Sequence, residues 1–288
     1  LQCAEFVMIC QDESDRYVIN RKRVGNIDKI LKALAMPKGL KRGMSVYDAL
    51  AGFQWFLIIA SLCVVYRDDV KRRRYQTVIL EIARKNGKPF VVALMFIILF
   101  YIEPEYSRFC SVAPDGSLAR EIKEALEPLI RTNSGAFRKG EFRNLRDYVL
   151  HTVKQTRYTP LNFSINRMDG KEPNVFIADE VGALPTPYPV EARRSGQLSV
   201  LNPLGYVIST KYPTVNNAFE DEVDNAKKVL VGIIDDETIF ALLYEPDDIK
   251  NWQTNDDVLA HANPIALEIK KTWNDLLRKR RNAVNRES

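Results

Sequence analysis

"RYQTVILEIARKNGKPFVVALMFIILFYI", residues 74–102, decides how the rest of the chain is read. Its first ten residues, Arg74–Ala83, carry β-branched and apolar residues and read as a strand. "ARKNGKP" is a turn. "FVVALMFIILFY" is apolar on nearly every side, so it reads as a helix buried between layers. Strand, glycine turn and buried helix form the setting of a phosphate-binding loop. Gly87 lets the backbone approach a phosphate without a Cβ, and Lys88 supplies a cation. Two features depart from the usual pattern. Ile82 stands where the first glycine belongs, and Pro89 stands where Ser or Thr would hold Mg²⁺. Taken alone, "NGK" is also a common surface turn.

The bulk numbers bound the answer. The 288 residues suffice for one large α/β domain or two small ones, and 46% hydrophobic residues exclude wholesale disorder. Lys plus Arg is 42 against 37 Asp plus Glu, a net charge of +5 that permits a polyanionic partner without arguing for one. Cys3, Cys10, Cys63 and Cys110 lack C-x-x-C spacing and read as reduced core thiols of an intracellular protein. The start at Leu1 shows no signal peptide. The apolar runs Phe53–Val65 and Phe90–Ile102 fall short of the roughly 20 residues that span a bilayer, so no membrane is expected.

Outward from the loop, residues 1–50 form a helical lead segment. "RFCSVAP" (Arg108–Pro114) is a second strand. Leu118, Ile122, Ala125, Leu126 and Leu129 mark a helix over 117–130. Residues 131–173 read as strands and loops. "NVFIADE" (Asn174–Glu180), "LGYVISTKYP" (Leu204–Pro213) and "TIFALLYEP" (Thr238–Pro246) are strands. Asn217–Ile234 is the clearest helix, with Phe219, Val223, Ala226, Leu230 and Ile233 on one stripe. Ile269, Trp273, Leu276 and Leu277 mark a last amphipathic helix in a basic tail. Alternating strands and helices predict an α/β fold, a mostly parallel central sheet flanked by helices on both faces, with ligands at the carboxyl ends of the strands.

Several residues could do chemistry there. "VFIADE" places Asp179 where it can hold Mg²⁺ and Glu180 where it can polarise an attacking water, although the same residues fit an exposed acidic turn. With the glycine turn upstream, the two signals together favour a phosphate-loop ATPase. Ser209 and Thr210 end the next strand, a position from which a γ-phosphate is sensed, or where two hydroxyls merely cap the strand. Gln54 can donate to and accept from an adenine edge, or sit on a helix surface. Arg84 can stabilise transition-state charge, while Lys85 beside it is solvated or competes for that role. His151 and His261 lack ligand spacing and read as structural or surface residues. "KRRR" (Lys71–Arg74) reads first as a solvated turn, with phosphate or DNA as the alternative. The tail "RKRRNAVNR" (Arg278–Arg286) either touches DNA or is a charged helix end.

"FQWF", "RRYQTVILEIARKNGKPFVVAL", "VFIADEVGALPTPYPVEARRSG", "LGYVISTKYP", "VNNAFEDEVDNAKKVLVGIIDDETIFALLYE" and "WQTNDDVLAHANP", in this order over roughly residues 50–265, resemble the large terminase subunit of tailed bacteriophages. A phosphate loop spelled Arg-Lys-Asn-Gly-Lys without the first glycine is a habit of that family. The resemblance implies a P-loop NTPase domain over 51–265 that uses ATP and Mg²⁺ to move double-stranded viral DNA into a procapsid. By the same resemblance Lys88, with Gly87, Asn86 and Lys85, binds phosphate, and Arg84 matches the in-loop arginine. Asp179 binds Mg²⁺ and Glu180 is the catalytic base. Thr210, with Ser209, couples hydrolysis to DNA movement, and Gln54 reads adenine. The implied partners are DNA, the portal protein and the small terminase subunit. The implied assembly is a homo-oligomeric ring on the portal, a monomer when isolated, and the implied setting is the host cytoplasm, transiently docked on the procapsid.

Two departures qualify the resemblance. Pro89 removes a hydroxyl and an N–H, although proline suits the first turn of a helix. Residues 266–288 form a basic helical tail leading toward a nuclease domain that the sequence has no room for, so cleavage is not expected. The alternative is a catalytically impaired prophage remnant or fragment that binds nucleotide weakly or not at all. A helicase would need further arginine- and threonine-rich motifs that the sequence lacks.

Overall fold

The computed structural model describes residues 2–162, 172–212 and 217–287. Helix α1 (Gln2–Cys10), strand β1 (Tyr17–Ile19) and helices α2 (Arg21–Ala33), α3 (Val46–Ala49) and α4 (Gly52–Cys63) lead into β2 (Val64–Tyr66). Strand β3 (Thr77–Glu81) and helix α5 (Lys88–Ile102) flank the glycine turn. Then come β4 (Arg108–Ala113), α6 (Gly116–Thr132), β5 (Phe142–Asn144), β6 (Val149–His151) and β7 (Thr156–Asn162). After β8 (Val175–Asp179) and a short 3-10 turn (Val181–Ala183) follow α7 (Tyr188–Ser195), β9 (Leu204–Ser209), α8 (Ala218–Leu230) and β10 (Ile239–Leu243). Helices α9 (Asp256–Ala262), α10 (Pro264–Glu268) and α11 (Lys270–Glu287) close the chain.

One sheet of eight strands, ordered β10-β3-β9-β8-β4-β7-β6-β5, organises these elements. The strands from β10 to β7 run parallel; β6 and β5 add on antiparallel. Strands β3, β8 and β9 are apolar on both sides because both sheet faces are covered. Helices α5 and α6 pack into the core on one face, and α7 and α8 on the other. The side chains Val91–Phe100 of α5 are all buried, as its unbroken apolar run requires. The expected mostly parallel α/β architecture is therefore present. No described helix is long and apolar enough to cross a membrane.

The order of strands positions the site. Strand β3, which feeds the glycine turn, does not touch the acidic strand β8; β9 lies between them. In register, Glu81 pairs with Ser209, and Asp179 pairs with Ile208. The ends of β3, β9 and β8 therefore lie at one level, and a side chain starting α5 reaches Asp179 only by crossing the end of β9.

Local details correct the sequence reading. Residues 1–50 are not wholly helical: β1 pairs antiparallel with β2, and Ile9, Tyr17, Ile27, Leu31 and Val46 enter the same core as α5. The helix expected to reach Ile234 stops at Leu230. Gly232 is left-handed (φ 79°), and the N–H groups of Gly232 and Ile233 donate to Val229 and Lys228 carbonyls, a closing pattern that leaves Ile233 75% exposed. "KRRR" is not simply a solvated turn. Arg73 is buried against Glu103 and the Asn202 carbonyl, and Arg74 pairs with Glu5 over the Tyr17 ring. Of the four cysteines expected in the core, Cys3 and Cys10 are exposed. His151 is buried on Glu141, while His261 is half exposed beside Asp247.

Candidate nucleotide site

The loop between β3 and α5 is shaped by two left-handed residues, Lys85 (φ 73°) and Gly87 (φ 77°). Gly87 caps α5 without any side-chain cap, and a Cβ on it would meet Gln54 Nε2 at 3.3 Å. Among the described residues, the backbone N–H groups of Lys85, Gly87 and Lys88 have no acceptor. Successive donors in alternating backbone form a concavity for an anion, and the dipole of α5 adds to it. Pro89 occupies the first turn of α5, where its missing N–H breaks no helical bond.

Lys88 spans the gap across β9. Its Nζ lies 2.9 Å from Asp179 Oδ1 and 2.5 Å from Glu180 Oε1. Burial opposes the Lys88 charge, but the two carboxylates outweigh it and hold the ammonium above its ordinary pKa. Burial pushes the Asp179 carboxyl up, with Lys88 opposing. Glu180 adopts left-handed backbone (φ 51°), which turns its carboxylate back toward the loop. Its N–H donates to Asp179 Oδ1 at 2.9 Å.

The other expected residues are placed as follows. Ser209 Oγ accepts from the Gly182 N–H at 3.1 Å and donates to the Thr210 carbonyl at 2.9 Å, so it ties the end of β9 to the turn after Glu180. Thr210 is buried and lines a cavity of about 450 Å³ with Glu81, Arg84 and Tyr212. Arg84 and Lys85 are exposed. Gln54 is buried on α4; its Oε1 accepts from the Ala51 N–H, and its Nε2 faces Gly87. Asn86 is buried too, but its side-chain amide bonds Ala83, Asn263 and the Ile265 N–H. That amide fixes the loop to the start of α10 and is not turned to a ligand.

Three neighbours escaped the sequence reading. Tyr212 donates its hydroxyl to Glu180 Oε2 at 3.1 Å, and its ring packs on Gly182, where a Cβ would sit 2.5 Å from Cδ2. Burial and then the Glu180 carboxylate hold the Tyr212 phenol above its ordinary pKa, so it stays a donor, with the Arg84 guanidinium facing it. Glu81 ends β3 as a buried carboxyl raised by burial and by Glu245. Asn263 reaches the loop from a distant part of the chain. Tyr and Glu side chains beside apolar strand ends carry no motif of their own, so only the tertiary arrangement reveals them.

Residues 54–228 match the family model described as the terminase large subunit, ATPase domain. That is more than half of the chain, and the chain belongs to this family. Among solved structures, the large terminase of the HK97 bacteriophage matches with a TM-score of 0.74 at 22% identity, covering 93% of this chain and 52% of that one. The large terminase of a thermophilic bacteriophage, solved in complex with ADP, matches with a TM-score of 0.51 at 14% identity, covering 72% of this chain and 48% of that one. Both likenesses concern the fold, and the chain spans about half the length of these terminases. No curated protein matches the sequence.

The packing of Tyr212 on Gly182 can be tested without any ligand. Gly182→Ala forces the ring away and is expected to cost about 1–3 kcal/mol in urea unfolding. Tyr212→Ala in the same protein should recover part of that loss, because the two residues touch. Strictly additive losses would show that they do not.

Proposed function

We propose that this terminase ATPase domain hydrolyses ATP and uses the energy to move double-stranded DNA into a procapsid. The observation that carries the reading is the Lys88 ammonium held between Asp179 and Glu180 at the mouth of a loop with unpaired N–H groups. The thermophilic phage terminase of similar fold was solved in complex with ADP, which supports nucleotide binding as part of this reading. The reading carries over from the family, as part of the proposal, the DNA, the portal protein, the small subunit, a ring of copies on the portal and a cytoplasmic setting.

The residues divide the work. The N–H groups of Lys85, Gly87 and Lys88 cradle phosphate oxygens, and the Lys88 ammonium exchanges its carboxylates for the β- and γ-phosphates. Among the described residues no group of three His, Cys, Asp or Glu side chains could hold a metal. Mg²⁺ commonly takes one or two carboxylates plus phosphate oxygens, and Asp179 fits that pattern. Asp179 would hold Mg²⁺ there, and the ion would supply neutralisation of phosphate charge. Glu180, released from Lys88 and still held by Tyr212, accepts the proton of the attacking water. Arg84 stabilises charge on the departing phosphates, and Gln54, whose Oε1 is taken by the Ala51 N–H, keeps its Nε2 as the donor for an adenine edge. Ser209 and Thr210 lie between loop and base, so a shift at either moves the end of β9. In this reading residues 51–265 carry the motor, residues 1–50 buttress it, and the tail 266–288 leads on toward the nuclease domain of the family.

Glu180→Gln is expected to keep ATP binding, read with a fluorescent analogue, while steady-state turnover falls about a hundred- to ten-thousand-fold. Unchanged turnover would remove Glu180 from the role of base. Because the remaining loop donors do not depend on position 89, Pro89→Ser is expected to change turnover by less than about tenfold, roughly 1.4 kcal/mol of barrier. A larger gain would support the impaired-remnant reading.

A further inference from the structure

A cavity of about 720 Å³ opens at the other end of the sheet, beside the amino ends of β4 and β8. Its floor comes from one face of β4 and β7, including Arg108, Arg157 and Thr159. On this face α7 covers β8 and β9. The α7 residue that joins the cavity wall is Arg193.

Arg193 has 0% exposure, and its Nε, Nη1 and Nη2 have no hydrogen-bond partner among the described residues. The contrast with Arg73 is informative. That side chain is equally buried, yet it holds both Glu103 and the Asn202 carbonyl. A lone buried charge costs several kcal/mol, so a guanidinium in this position calls for an anion. The cavity it lines supplies the space. Arg108 and Arg157 add two exposed cations to the lining, against the carboxylate of Glu172 as the one acidic group among the described residues that line it.

We infer that this cavity is a second anion site, distinct from the phosphate loop, that takes a phosphoryl group. A carboxylate is matched by one guanidinium fork. Three arginines around one cavity fit a phosphoryl group, which carries up to two charges and three outer oxygens. The Thr159 hydroxyl offers a further donor, and the rings of Tyr106 and Tyr148 offer surface for a group attached to the phosphate. Lys88 stands at the carboxyl ends of the strands, so the two sites do not share a residue. The inference does not depend on ATP hydrolysis.

Thermal unfolding of the whole chain without nucleotide, in rising inorganic phosphate against chloride of equal ionic strength, tests it. The wild type and Arg193→Met share the phosphate loop, so the difference between them reads the second site. Arg193→Met is expected to lose most of the phosphate-dependent rise in Tm, and Arg108→Gln with Arg157→Gln to lose part of it. A rise that is equal in wild type and Arg193→Met for phosphate and for both further probes named below overturns the inference. If Arg193→Met does not fold, the pair of exposed substitutions decides, and an unchanged rise overturns it. Pyrophosphate and a short DNA duplex, run in the same way, separate the sources. An Arg193-dependent response to phosphate or pyrophosphate alone assigns a free anion, and one to the duplex alone assigns a nucleic-acid backbone. No Arg193-dependent response to any of the three overturns the inference.

Discussion

The Lys88 ammonium sits between Asp179 and Glu180 although the strands that carry these residues are not neighbours. The rest of the site follows from that one bridge. It needs Gly87 in left-handed backbone to start α5 at the right point, and Glu180 in left-handed backbone to turn back. It also needs the end of β9 tucked between them, with Ser209 tied to Gly182. A cation and two carboxylates taken from water are costly to separate, so whatever draws Lys88 away must offer comparable negative charge. A polyphosphate does so, and a solvated surface turn would not need the arrangement at all.

The arrangement also explains how the loop tolerates its irregular spelling. Ile82, where a first glycine is common, is buried, and its N–H donates to the Ser209 carbonyl. The residue therefore serves the sheet. Pro89 falls in the first turn of an apolar helix, where the backbone asks nothing of its nitrogen. Asn86, which reads as a loop residue, works as a bracket to Asn263 and Ile265 and so ties the loop to the segment after β10. In both departures the packing is satisfied, and only the ligand side of the loop has lost groups.

Much of this was legible in the sequence because burial on two faces leaves a strong imprint. "TVILE", "VFIAD" and "LGYVIS" are continuous apolar runs, and each proved to be a central parallel strand. The acidic pair and the glycine turn were legible because their order and spacing are shared with a family. What escaped was tertiary. Nothing local distinguishes the buried Arg73, Arg74 and Arg193 from solvated arginines, since the partner or its lack is set by residues far along the chain. Tyr212 looks like a strand end until Gly182 lets its ring approach Glu180. The end of α8 lies at a glycine that the apolar stripe runs past.

The most direct test of the account is steady-state ATP hydrolysis by the purified chain with Mg²⁺, measured beside Lys88→Ala. The account predicts turnover in the wild type that disappears when the ammonium is removed. Turnover that survives in Lys88→Ala, or none in either protein while both remain folded, would contradict the claim that the bridge between the loop and the acidic pair is a working nucleotide site.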